Sequence, residues 1–212
     1  MSIKKIRIEW VLLVLLYSMI QVASAQPSLD DRVQSFLEKH QSEWNDWNIP
    51  MRDGQLLYDL IIEHNYTQAL EIGTSTGHST IWIAWALSKT GGKLVTIEID
   101  KERHEQAVEN LKKVGLDRFV DFRLADAHQL VKELKGPFDF VFSDADKSWY
   151  KQYFLDIAPK MEPGGCFTAH NIGMRMSGIR EFLDTVSNHP EFETTIETDR
   201  STGISISYKQ PK

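Results

Sequence analysis

Leu70-Glu71-Ile72-Gly73-Thr74-Ser75-Thr76-Gly77-His78-Ser79-Thr80 is the stretch that decides the fold of this 212-residue chain. It opens within a short apolar run, Ala69 to Ile72, and closes on an apolar helical run, Ser79 to Leu87. A strand, a glycine-bearing turn and a helix in that order begin a strand–helix–strand unit. Gly73 and Gly77 lack a Cβ, so the backbone there can turn tightly and approach a ligand. The alternation continues downstream. Leu94 to Ile99 reads as a strand, Lys101 to Val114 as a helix stopped by Gly115, Val120 to Leu124 as a strand and Ala127 to Leu134 as a helix. Phe138 to Phe142 is a strand and Tyr150 to Ile157 a helix. Pro163-Gly164-Gly165 then turns into the strand Cys166 to Ala169, and Ser177 to Val186 is a helix. Two last runs, Phe192 to Glu197 and Ile204 to Tyr208, read as an antiparallel pair. Strands alternating with helices predict an α/β fold, a parallel sheet with helices on both faces.

In such sheets ligands bind beyond the carboxyl ends of the strands, where the Gly73 loop lies. Glu98 ends the second strand, and an acid there can accept from both hydroxyls of a ribose. The glycine loop is not G-x-G-x-x-G, so a nicotinamide dinucleotide is disfavoured. Its order is Glu-x-Gly-x-Ser-x-Gly, with Glu71 before the first glycine. S-adenosylmethionine has no pyrophosphate to cradle, and Glu71 suits its cationic end. Asp126 closes the third strand, where it accepts from an adenine amino group, caps the next helix, or does both. Thr74, Ser75, His78 and Ser79 on the loop, Ile99 and Ala127 at neighbouring strand ends, and Asp144 complete the expected cofactor contacts.

Upstream of the core, residues 26–66 read as a helical cap. Ser28 and Asp31 have capping-box spacing, Val33, Phe36 and Leu37 share a face, and Asn48-Ile49-Pro50 breaks the chain before a helix from Gln55 to His64. Residues 1–25 read as a secretory signal: Lys4, Lys5 and Arg7, an apolar Val11 to Ile20, then Ala23-Ser24-Ala25. The expected location is therefore outside the cytoplasm, with an uncleaved anchor as the alternative. One domain, 26–212, remains, with its core at 67–212. The net charge is −6, and removing Lys4, Lys5, Arg7 and Glu9 with the signal leaves −8. An acidic domain does not suit a phosphate backbone, so no nucleic-acid partner is expected. The single cysteine, Cys166, excludes an intrachain disulfide or a cysteine-built zinc cluster.

Glu71-Ile72-Gly73-Thr74-Ser75-Thr76-Gly77, Glu98-Ile99-Asp100 and Asp144-Ala145-Asp146-Lys147 together resemble the cation-dependent O-methyltransferases, the catechol and caffeoyl-CoA family. The resemblance runs from about Asp53 to Tyr208. It implies a Rossmann-like seven-stranded sheet with an antiparallel last strand, S-adenosylmethionine as cofactor, a small acceptor such as a vicinal diol on an aromatic ring, and a homodimer. It also implies a divalent metal held by Asp, Asp and Asn. Asp144 and Asn171 match the first and third ligands, but His170 stands where the second Asp is expected.

Asp144 and Lys147 follow the fourth strand, and His170 and Asn171 follow the fifth, so all four fall on the edge that carries the glycine loop. Oxygen ligands suit Mg²⁺ or Ca²⁺, whereas an imidazole at 170 favours Mn²⁺, Fe²⁺ or Zn²⁺. A bound ion would lower the acceptor hydroxyl's pKa, and Lys147 would take the proton. Lys147 also reads as a solvated helix-start lysine. His170 is open between metal ligand, general base in a metal-independent enzyme, and structural histidine. Trp149, Tyr150 and Met174 are candidates for an acceptor pocket, and Trp44, Trp47 and Met51 for a lid. Arg103 and His104 read as a solvated helix face. The competing function is a non-catalytic protein that binds S-adenosylmethionine or S-adenosylhomocysteine.

Overall fold

The computed structural model describes residues 26–42, 44, 48–198 and 202–211, so the proposed signal segment and Trp47 lie outside the described residues. Two helices come first, α1 (Leu29–Lys39) and α2 (Met51–His64). The core follows as β1 (Gln68–Ile72), α3 (His78–Thr90), β2 (Lys93–Glu98), α4 (Lys101–Val114), β3 (Val120–Leu124), α5 (Ala127–Glu133), β4 (Phe138–Ser143), α6 (Tyr150–Ile157), β5 (Met161–His170), α7 (Ser177–Ser187), β6 (Phe192–Glu197) and β7 (Ile204–Lys209). The seven strands form one sheet in the order β3-β2-β1-β4-β5-β7-β6. Only β7 runs against its neighbours, inserted between β5 and β6.

The central strands β1, β4 and β5 carry apolar residues on both faces because both faces are buried there. Along β1, Leu70 and Ile72 enter one core and Ala69 the other. On β4, Val141 takes the first side while Phe140 and Phe142 take the second, and Phe167 and Cys166 divide in the same way on β5. Helices α5, α6 and α7 cover the first face through Val131, Phe154 and Phe182; α2 and α3 cover the second through Leu57, Ile61 and Ile83. The cap joins this fold by packing. Ser28 makes the expected capping box with Asp31, and Val33 and Leu37 of α1 meet Ile81, Leu111 and Val114. Gly54 lets α2 lie against α3, since a Cβ there would sit 2.2 Å from the Trp82 ring.

Two boundaries differ from the sequence reading by four residues or more. Helix α2 begins at Met51, directly after Pro50, so Asp53 lies in its first turn. Strand β5 begins at Met161, so Pro163-Gly164-Gly165 lies within it as a pairing irregularity against β4. Proline has no N–H to give the ladder, which explains the break in register. Among the described residues no helix is long and apolar enough to cross a membrane.

Candidate active site

Strand register lines up the reactive residues. Ile72 on β1 pairs with Ile97 on β2 and Ser143 on β4, Glu98 pairs with Leu124, and Ser143 pairs with Ala169 on β5. The next residues, Gly73, Ile99, Ala125, Asp144 and His170, therefore share one sheet edge. Strand order reverses between β1 and β4, and a crevice opens at that switch point. Gly73 shapes its floor: its φ is +103°, and a Cβ would be 3.0 Å from the Asp144 and Ala145 backbone.

A cavity of about 370 Å³ occupies the crevice, with Gly73, Ser75, Glu98, Ile99, Asp126, Ala127 and Asp144 in its wall. The Glu98 carboxylate accepts from the amides of Ser75 (2.7 Å), Ile99 (3.0 Å) and Asp100 (2.9 Å). Those bonds fix it at the mouth of the cavity with lone pairs to spare. Asp126 caps α5 through the His128 amide at 2.9 Å and also faces the cavity, so its two readings coexist in the geometry. Ile99 is 70% exposed beside it, an apolar side chain without cover. Arg103, His128, Asp146 and Tyr153 also line the cavity. Arg103 thus belongs to the cavity wall, not to a wholly solvated helix face.

The remaining loop residues lie beneath the cavity. Thr80 and Thr96 each donate to Glu71 Oε2 at 2.6 Å, and Ser79 lies against the same carboxyl. Burial raises the Glu71 carboxyl to about 7, while these hydroxyls pull the other way. Thr74 shares a 2.6 Å hydrogen bond with Thr96. Gly77, at φ +94°, packs on Ala107 and starts α3. His78 is buried under Trp44, their rings stacked at 4.7 Å, and burial lowers its pKa to about 4, so it is neutral. Ser75 holds φ +49°, and its buried Oγ has no hydrogen-bond partner among the described residues.

Asp144 joins the cavity to a second, closed group. Lys147 Nζ donates to Asp144 Oδ1 at 2.6 Å and to the Asp144 carbonyl at 3.0 Å. His170 Nδ1 lies 3.3 Å from Asp144 Oδ2, and its Nε2 lies 3.0 Å from Asp53 Oδ2. Asn171, at φ +60°, donates its amide to Asp144 Oδ1 at 3.1 Å and accepts from Thr202. Burial opposes charge on His170, but Asp144 and Asp53 outweigh it and raise the imidazole to about 9. Burial likewise opposes ionisation of Asp144, yet His170 and Lys147 hold its carboxyl below the usual range.

Tyr150 is wholly buried and braces this group, its hydroxyl donating to the His170 carbonyl at 3.1 Å. It does not wall a pocket. Trp149, expected at an acceptor site, stacks on His128 at 3.9 Å beside the cofactor-sized cavity. Met174 is 44% exposed and borders a shallow recess of about 210 Å³ with Gly173 and Thr202, near Asn171. Sequence reasoning passed over Asp53 as a site residue. Its signal was present: Asp53, Leu57, Leu60 and Ile61 share the buried stripe of α2, and an acid on such a stripe needs a partner.

As metal ligands the set Asp144, His170 and Asn171 does not fit. Coordination needs lone pairs aimed at one point. Both His170 nitrogens face carboxylates, and Asn171 turns its amide N–H₂ toward Asp144. Among the described residues no group of three His, Cys, Asp or Glu is arranged around an ion.

The sequence model of the O-methyltransferase family matches residues 21–199, most of the chain. The chain belongs to that family. A catechol O-methyltransferase of Niastella koreensis is 42% identical over 107 residues, 49% of this chain and 48% of that protein. A caffeoyl-CoA O-methyltransferase of Medicago sativa is 32% identical over 159 residues, 71% of this chain and 63% of that one. The matches thus span between half and two-thirds of these relatives' length. The solved O-methyltransferase of Bacillus cereus in complex with SAH superposes with a TM-score of 0.71 at 25% identity, covering 90% of this chain and 94% of that one.

Proposed function

We propose that this chain transfers a methyl group from S-adenosylmethionine to a hydroxyl of a small phenolic or catechol-like acceptor. The observation that carries the reading is the joint at Asp144, which faces the 370 Å³ cavity and binds Lys147. The cavity fits a nucleoside: Glu98 is placed for two ribose hydroxyls, Asp126 for an exocyclic amine and Ile99 for a flat ring. Its titratable lining is four carboxylates against Arg103 and His128, which suits a sulfonium cation better than a phosphate. The unpartnered Ser75 hydroxyl offers a donor to the amino-acid end.

S-adenosylmethionine supplies an electrophilic methyl group on sulfur. The protein's part is to place an acceptor oxygen in line with it and to manage one proton. Lys147, beside Asp144 and one-tenth exposed, takes the hydroxyl proton in its neutral amine form; the ammonium so formed then steadies any residual oxyanion character. His170 is no base here, since both ring nitrogens are already committed to carboxylates. The acceptor enters from the side of Met174 and Thr202, where the recess lies. Calorimetry of S-adenosylmethionine on the full chain, followed by a methyl-transfer assay with catechol, tests this. Micromolar binding with turnover is expected. Binding without turnover on any phenol would instead favour the competing binding-protein reading, and no binding would sink both.

A further inference from the structure

We propose that this site is built to work without a divalent cation, because a buried clamp of Asp53, His170 and Asp144, with Lys147 on the outer side, places protein nitrogens where its relatives' pattern calls for a metal. The inference rests on the methyltransferase reading for its purpose, but not for its geometry.

The clamp accounts for what the resemblance leaves unexplained. Histidine replaces an acid at position 170, and a second acid, Asp53, comes from a helix that precedes the whole sheet. The histidine and this acid meet each other. Asp53 is fully buried, and its Oδ2 finds the His170 ring at 3.0 Å; the half-exposed Arg52 guanidinium is 3.8 Å from its Oδ1. A buried carboxylate without such a partner would be strongly destabilising. With it, α2 is tied to the end of β5 and the ring is locked. Its other nitrogen points at Asp144, the residue that reaches the cavity. Asp53 is therefore a positioning residue: it acts on Asp144 through His170.

The count of partners gives the same answer. Both carboxylates already meet protein nitrogens, Asp144 at Lys147 Nζ and His170 Nδ1 and Asp53 at His170 Nε2, with Arg52 3.8 Å from Asp53 Oδ1. A dication entering this group would have to displace those nitrogens, and no lone pair of His170 is free to receive it. An aspartate at 170 would reverse this. Three carboxylates would then meet Lys147 and the half-exposed Arg52, with the imidazole gone and oxygen lone pairs left for a divalent ion. Histidine at 170 thus does internally what an aspartate would do only with a metal bound.

The test is metal binding, read apart from activity. The full chain and the His170→Asp and His170→Asn variants are titrated with Mn²⁺ and Mg²⁺ by calorimetry and followed by thermal denaturation. The wild type is expected to show no saturable heat, and its Tm to stay unmoved by either metal or by EDTA. His170→Asp is expected to bind Mn²⁺ and gain roughly 5 °C on its addition, while His170→Asn gains nothing. Methyl transfer by the wild type is expected to change less than about twofold between EDTA and Mg²⁺, against the tenfold that 1.4 kcal/mol of lost stabilisation would give. Saturable micromolar Mn²⁺ binding by the wild type overturns the proposal, and so does a loss of tenfold or more in EDTA restored by Mg²⁺. A folded His170→Asp that ignores Mn²⁺ overturns the claim that His170 holds a cation's place. If His170→Asp fails to fold, the wild-type arms still decide. If no acceptor is ever methylated, the binding arms stand, and only the functional reading falls.

Discussion

The crevice has two halves that meet at Asp144, and they are built in opposite ways. The half proposed for the nucleoside is open. Ile99 is 70% exposed, and the Ser75 hydroxyl has no partner among the described residues. The half proposed for proton transfer is shut: Asp53 is 0% exposed, His170 is 4% exposed, and Asp144 is held by Lys147, His170 and Asn171. The first half is completed by what it binds, so it leaves apolar surface and lone pairs available. The second holds charges in low dielectric, where an unpaired ion is costly, so it must be satisfied before any ligand arrives.

This difference can be broken by mutation. The largest effect belongs to Lys147→Ala, which should lower kcat by about 10²–10⁴-fold, the usual contribution of a positioned proton-transfer group. Cofactor affinity should stay within about twofold, because Lys147 lies outside the cavity wall. A parallel loss of cofactor binding in calorimetry would mean that the halves are not separable. Next is Asp53→Ala, which strands His170 beside Asp144 and should cost about 3–5 kcal/mol in urea denaturation. A cost below about 1 kcal/mol would show that the clamp carries little strain-free pairing energy.

Glu98→Ala should act on the other half alone. Losing hydrogen bonds to a charged acceptor, at about 1.5–3 kcal/mol, should raise the cofactor Kd by about ten- to a hundredfold. With saturating cofactor, kcat should return to near the wild-type value; a kcat that stays low would tie Glu98 to the chemistry.

The smallest effect concerns the boundary residue Glu71. Its folded-state value near 7 lies above the 4.5 of a free carboxyl, so the folded state holds its proton more tightly. The resulting stabilisation is full below pH 4.5 and is lost as pH rises toward 7. Glu71→Gln has no such dependence. Its Tm relative to wild type should therefore climb between pH 4.5 and 7 and level off above. A difference that stays flat with pH would place the carboxylate in an ionised, compensated state instead.

The two halves were also unequally legible. Glycine spacing and an acid at the end of β2 are local patterns, so Glu98 and the Gly73 loop can be read directly. The clamp is not local. Asp53 and His170 are 117 positions apart, and nothing between them indicates that α2 packs over the end of β5. Tyr150 and Trp149 illustrate the same limit. Both read as candidates for an acceptor pocket, yet only packing put Tyr150 beneath His170 and Trp149 over His128.

Sequence alone determined the alternation of strands and helices, the caps at Ser28 and Gly115, and the glycine-bearing loop after β1, because each depends on residues a few positions apart. Tertiary structure decided that β7 inserts between β5 and β6, that Arg103 joins the cavity, and that His170 is gripped by two acids. Those outcomes depend on which distant surfaces meet. Burial then selects the partners, since a charge removed from water must be matched by whatever group the fold brings within about 3 Å.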